Sequence, residues 1–302
     1  MKARKHDSAK ARKQDSKMGD DTLVIPSGTI ITEPIVLNLH GSVVGRFSIE
    51  VGAGSRAIIV ESGTCQGCKR VDSDAKISIS VGDGAQLDFH AVGKCAAGGR
   101  TVRRVEASVG ENGRLDFIDG RFGGGDNTSS VSIKLLGDGA NAELKTLFFG
   151  SDADRLDLDY RVGHFASGTT SRIITKGALA DRSRASYRSD IVMKSGLTGC
   201  SGLERVDTLL LSGGARLECA PELEIGSDDV RCEHAMSVTG LDGRRLFYLM
   251  SRGMSRESAA AAAILGFLSP VSGAIADPES RDAVEALLAA RLRCALAASN
   301  PN

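Results

Sequence analysis

FSIEVGAG (residues 47–54), ISISVGDG (77–84), EASVGENG (106–113) and IKLLGDG (133–139) decide the fold. Each is a short β-prone run, then an apolar–glycine pair, then a polar turn. The pairs are Val51-Gly52, Val81-Gly82, Val109-Gly110 and Leu136-Gly137, spaced by 30, 28 and 27 residues. Val162-Gly163 extends the series at a spacing of 26. A near-fixed period of this size marks a repeat architecture. The units hold strands, which excludes paired-helix solenoids, and a propeller blade needs about 40 residues. What remains is a parallel β-helix or a β-helix-like roll, each coil giving two or three short strands that stack on the next. Glycine at the corners permits positive φ. Alternation agrees: in AQLDFHAV (85–92), Leu87, Phe89 and Ala91 share one face, and Asp88 and His90 the other.

The composition fits this reading. The chain has 302 residues, enough to bury a real core. There are 36 Gly, only 6 Pro, no Trp and 4% aromatic residues, as expected of many tight turns between short strands. Lys plus Arg equals Asp plus Glu at 38 each, so the chain as a whole is no polycation built for nucleic acid. No apolar run approaches the roughly 20 residues that span a bilayer. The opening stretch MKARKHDSAKARKQDSK is charged, with no apolar core behind it, so it does not read as a signal peptide. Cytoplasm is the expected compartment, and the seven Cys are expected to be mostly reduced thiols.

Three segments follow. Residues 1–21 form a basic polar tail with a small duplication, ARKHDS and ARKQDS. Residues 22–239 carry the β pattern. From residue 240 the period changes to helical. LDGRRLFYLMSRG (241–253) has Asp242 as N-cap and Gly253 as its stop. Ser255 caps a second helix through RESAAAAAILGFL, and Asp277-Pro278-Glu279 opens a third that runs to about Ala298. In the third, Val284, Leu287, Leu288, Leu292 and Leu296 make an apolar stripe. The expected fold is therefore mainly β, a parallel β-solenoid followed by a small C-terminal α-helical domain in residues 240–302.

Candidate chemistry centres on thiols. Cys65 and Cys68 form a CxxC, and Cys95 lies 30 residues beyond Cys65, one coil spacing on. Stacked coils would bring Cys95 to about 4.8 Å from Cys65. A zinc or iron–sulfur site would want a fourth ligand, for which His40 and His90 are candidates. The plain alternative is a loop of reduced cysteines. Asp157 and Asp159 share a face, as acids do in solenoid carbohydrate enzymes. They also look like an ordinary solvated strand, and the sugar-stacking aromatics such enzymes use are missing. DDVRCEHAMSV (228–238) differs in kind: as a strand it puts Val230, Cys232, His234, Met236 and Val238 on one face and Glu233 on the other. LECAPELEI (217–225) puts Cys219 on a face with Leu217, Leu223 and Ile225. Thiolate with imidazole suits iron in a cluster. A buried cysteine beside a core histidine is the plain alternative.

The run from 215 to 268 resembles the C-terminal signature of the SufB/SufD family, scaffold subunits of the Suf iron–sulfur cluster assembly machinery. The matching pieces are Pro221-x-Leu223-Glu224-Ile225, Asp229-Val230-x-Cys232-x-His234, Leu246-Phe247-Tyr248-Leu249, Ser251-Arg252-Gly253 and Gly266-Phe267. Gly177-Ala178-Leu179 and Ser183-Arg184-Ala185 match upstream. The resemblance implies a right-handed parallel β-helix and a scaffold rather than an enzyme. It implies a transient iron–sulfur cluster assembled by Cys219, Cys232, His234 and Glu233 at a subunit interface. It also implies an ABC ATPase of the SufC type docked through the helical region at Phe247, Tyr248, Arg252, Gly253 and Phe267. Glu233-His234 is similar to the B-type subunit, and Pro221 to Ile225 with Asp229 to Cys232 to the D-type. Where B-type members often carry a glutamate after the histidine, this chain has Ala235. The expected partner is a second copy or another SufB/SufD-type subunit. No Walker A motif occurs, so ATP hydrolysis is expected from the ATPase, and no sequence feature supports a flavin. The rival reading is a structural β-solenoid that self-associates through its ends, with no cluster chemistry.

Overall fold

The computed structural model describes residues 14–15, 21–38, 44–64, 72–94, 98–275 and 277–298. Strands alternate between two parallel sheets. The first holds β1 (Gln14–Asp15), β3 (Ile35–Asn38), β5 (Arg56–Thr64), β7 (Gln86–Lys94), β9 (Arg114–Phe122), β11 (Asn141–Gly150), β13 (Thr170–Leu179), β15 (Thr198–Leu210) and β17 (Asp229–Thr239). The second holds β2 (Asp21–Ile25), β4 (Val44–Val51), β6 (Asp72–Val81), β8 (Gly99–Val109), β10 (Gly125–Leu135), β12 (Arg155–His164), β14 (Arg184–Met193) and β16 (Arg216–Ile225). Each strand pairs in parallel with the strand two further along the chain, giving a β-solenoid with two strands per coil.

The sequence period is the period of one corner. Gly28, Gly54, Gly84, Asn112, Gly139 and Gly168 all have φ between 51° and 71° there. Each donates its N–H to the next coil: Gly54 to the Asp83 carbonyl at 2.8 Å, Gly84 to Glu111 at 2.7 Å, Asn112 to Asp138 at 2.9 Å. The left-handed conformation turns each N–H along the solenoid axis, which is why glycine recurs. The series slips at its fifth member. Val162 pairs with Ile133 in a strand interior, and the corner lies further on, at 165–168. Leu135, not Leu136, stacks on Val109; Leu136 is an extra residue, 52% exposed, at the corner.

Inward positions alternate along every strand. Ile49, Ile79, Ala107, Ile133, Leu158 and Tyr187 from one sheet meet Leu87, Phe117, Leu144 and Ile173 from the other. Burial of this continuous apolar interior is the main stabilising term.

Helix α1 (Gly243–Ser251) is capped by Asp242, whose side chain accepts the Arg244 N–H. Ser255 caps α2 (Arg256–Ser272) in the same way through Ser258, and α2 runs four residues beyond Leu268. Helix α3 spans Pro278–Ala298, with Asp277 accepting the Ser280 N–H at 2.8 Å. The apolar stripe of α3 packs with Ile264 and Leu268 of α2 on the outer face of the first sheet, over Ile118, Phe122, Leu147, Phe149, Ala178 and Leu209. The Arg291 guanidinium fixes α3 to the corner before β12 through Asp154 and through Ser151 Oγ at 3.0 Å. Helices α2 and α3 therefore lie along the flank of the solenoid. They do not close its end, where β16 and β17 each have a single strand neighbour.

Candidate functional site at the open coil

The last coil joins β16 and β17, and alternation sets which residues look inward. On β15, Cys200, Gly202, Glu204 and Val206 are buried and inward-facing, and β17 stacks on them in register. Gly202 pairs with Cys232, Glu204 with His234 and Val206 with Met236. Parallel neighbours in register point to the same face, so Cys232, His234 and Met236 sit over the solenoid interior. On the facing sheet Cys219 pairs with the fully buried Tyr187. Both thiols pack against the edge of the apolar core and are half-buried. Gly202 makes room for Cys232: a methyl group there would meet Cys232 Sγ at 3.0 Å, with Met193 and Ile191 behind it.

Glu233 points the other way, is exposed, and pairs with Arg231 at 2.8 Å. The carboxylate beneath the thiols is Glu204, which is fully buried. One of its oxygens accepts a hydrogen bond from Ser189 Oγ; Oε2 has no hydrogen-bond partner among the described residues. Burial pushes the Glu204 carboxyl above its ordinary value, while the Ser189 bond and the nearby His234 act in the opposite direction. Burial, and after it the Glu204 charge, push Cys219 up to about 11 and raise Cys232. Both are therefore thiols at neutral pH, and iron binding would displace their protons. Among the described residues, no three His, Cys, Asp or Glu side chains stand in an arrangement that already holds a metal ion.

Polar side chains continue down the solenoid interior from this point. Tyr187 shares a 2.8 Å hydrogen bond with Thr175, and its ring lies 5.6 Å from that of Tyr160. Tyr160 donates to Asp119 at 2.8 Å. Asp119 pairs with Arg121 at 2.6 Å, and Arg103 with Glu61 completes this buried charge group. Cys200 lies within 3.3 Å of Thr169 Oγ1, which meets His164 Nδ1 at 2.7 Å. Sequence reasoning missed Glu204, Tyr187 and Cys200. The signal for each was a polar residue in an inward position of an apolar strand.

The other expected residues are dispersed. Cys65, Cys68, Cys95 and His40 lie outside the described residues. His90 is buried on the outer face of the first sheet, where burial lowers it to about 4. Asp157 and Asp159 are solvated and share Arg188 at 3.2 and 3.5 Å. Phe247 (74% exposed) and Tyr248 project from α1, and the Arg252 guanidinium lies over the Tyr248 ring at 5.4 Å. Gly253 ends that turn with φ 93°. Phe267 is elsewhere, half-buried on α2, with Lys176 Nζ 4.5 Å above its ring.

Residues 36–267 match the family model described as "SUF system FeS cluster assembly, SufBD core domain". The chain belongs to the SufBD family. The iron–sulfur cluster assembly protein SufD of Bacillus subtilis (strain 168) is 30% identical over 194 residues, covering 64% of this chain and 44% of that protein. An iron–sulfur cluster assembly SufBD family protein of Mycobacterium leprae is 29% identical over 166 residues, 55% of this chain and 19% of that protein. One from Staphylococcus epidermidis is 30% identical over 162 residues, 54% of this chain and 35% of that protein. The chain thus covers less than half the length of each of these relatives. The SufBD match takes in β16, β17 and α1; helix α3, with Arg291, lies beyond it. Among the described residues no helix is long and apolar enough to cross a membrane.

Proposed function

We propose that this SufBD chain is a scaffold subunit for iron–sulfur cluster assembly, with the nascent cluster as its cargo at the open coil. One observation carries the reading. Cys219, Cys232 and His234 come from two strands on opposite sheets, yet all face the inside of the last coil, which no strand among the described residues covers. Thiolate and imidazole are ligands that iron accepts. In this reading the chain is not itself a catalyst, and ATP hydrolysis belongs to a partner ATPase of the SufC type. Helix α1 supports that docking role: it has no buried residue, and it presents Phe247 and Tyr248 to solvent. A second scaffold subunit, either another copy or another SufB/SufD-type chain, covers the open coil.

The two terminal strands support different parts in that contact. β16 is guarded: Pro221 lacks a backbone donor, and Glu218, Glu222 and Glu224 line the strand. β17 has no proline and exposes Met236 (50%) and Val238. An edge strand without proline whose C-terminal half carries an apolar fringe is a pairing surface.

Anaerobic reconstitution with iron and sulfide tests the reading. Wild type is expected to bind both, and Cys219→Ala plus His234→Ala to lose them. Equal loading of the double variant would overturn the site assignment. The same open edge favours a second reading, a structural solenoid that self-associates. Filaments by electron microscopy, with no capture of a SufC-type ATPase, would support that instead.

A further inference from the structure

Glu204 has a bond to make. It is fully buried, out of reach of bulk solvent. Ser189 occupies one carboxylate oxygen, and among the described residues nothing occupies Oε2. Leaving a buried acceptor unmade is costly. Its in-register neighbour is His234, one strand spacing (about 4.8 Å) away and on the same face. The chain neighbour Glu233 cannot serve, because it points outward to Arg231. A histidine that ligates metal through one ring nitrogen almost always donates the N–H of the other to a carboxylate or carbonyl.

We infer that Glu204 is the positioning residue for His234: its free Oε2 accepts the ring N–H and turns the other ring nitrogen toward the cargo. This rests on the reading of His234 as a cluster ligand. The arrangement needs two acceptor oxygens on one side chain, one for Ser189 and one for His234. A carboxylate has two. An amide has one, so Glu204→Gln keeps the shape but cannot accept from Ser189 and His234 at once.

The test uses the full chain with 15N-labelled histidine. Long-range 1H–15N correlation reads the His234 tautomer in the protein before loading, with His234→Ala assigning the signal among the five His. Wild type is expected to show one tautomer and Glu204→Gln a mixture. After reconstitution, Glu204→Gln is expected to weaken iron affinity by roughly 10–100-fold, and to add nothing in a His234→Ala background. Unchanged His234 shifts in a folded Glu204→Gln protein would overturn the inference. So would an equal affinity loss with His234 absent, which marks a structural role. If Glu204→Gln does not fold, Glu204→Asp keeps the charge, withdraws the oxygen by one methylene, and is read by the same criteria. Failure of the underlying reading looks different. His234→Ala would then load as wild type, and the tautomer spectrum would still decide the Glu204 contact.

Discussion

Gly177 of β13 is in register with Phe148 of β11, and the Phe148 ring lies across it. A methyl group on Gly177 would stand 2.0, 2.3 and 2.4 Å from three ring carbons. Carbon atoms rest at about 3.5–4.0 Å, so the ring would have to retreat by roughly 1.5 Å. Phe148 is completely buried in the solenoid interior, within the continuous apolar core. Interiors packed to crystal density do not absorb such a shift. Gly177→Ala is therefore expected to cost about 3 kcal/mol, the upper end of the overpacking range. For a domain of this size that is roughly 6–12 °C in Tm. Equilibrium urea unfolding followed by circular dichroism measures it. Phe148→Leu should relieve the clash, so the double variant should lose less than the two single losses added together. A loss below about 0.5 kcal/mol, or strict additivity, would refute the packing argument.

Two further outcomes follow from buried polar groups. Arg291→Met should cost about 3 kcal/mol, because the buried Asp154 carboxylate loses its cation and keeps only the Gly124 and Ser151 N–H groups. Hydrogen exchange should then quicken in α3 before it does in β11 or β13, and uniform exchange would count against the anchor. His164 is fully buried and burial lowers it from 6.5 to about 4, while Thr169 and Ser171 hold its two nitrogens. The unfolded chain binds the proton first, so this stability is present above about pH 6.5 and is lost as pH falls toward 4. The size is on the order of 3 kcal/mol. Stability measured from pH 7 to 4 should fall less steeply in His164→Gln, and an unchanged slope would sink the assignment.

The solenoid was legible because its physical cause is local. A left-handed corner residue must recur once per coil, and glycine shows that in the letters. The same logic explains the slip at Val162-Gly163. An apolar–glycine pair also occurs inside a strand, and only the register of the neighbouring coil separates the two cases. Strand parity placed Cys232 and His234 on one face and Glu233 on the other without any tertiary information. Glu204 was not legible, because ERVD on its own reads as a charged strand. Its inward position depends on what lies one coil away, and such pairings are not written in a local pattern. The helices show the same limit. The α3 stripe announced a buried face but not its partner, so the flank and the open end were equally consistent with it.

The corner ladder has a consequence for how the molecule opens. Gly54, Gly84 and Asn112 each bond only to the next coil, so cohesion is a sum of nearest-neighbour steps. Inner coils are held on both sides. The coil of β16 and β17 is held on one, and α2 and α3 lie elsewhere. Local opening should therefore cost less at that end than in the inner coils and propagate inward as fraying. Cys219, Cys232 and His234 belong to a coil that opens before the inner ones do, and a covering subunit would supply the neighbour it lacks.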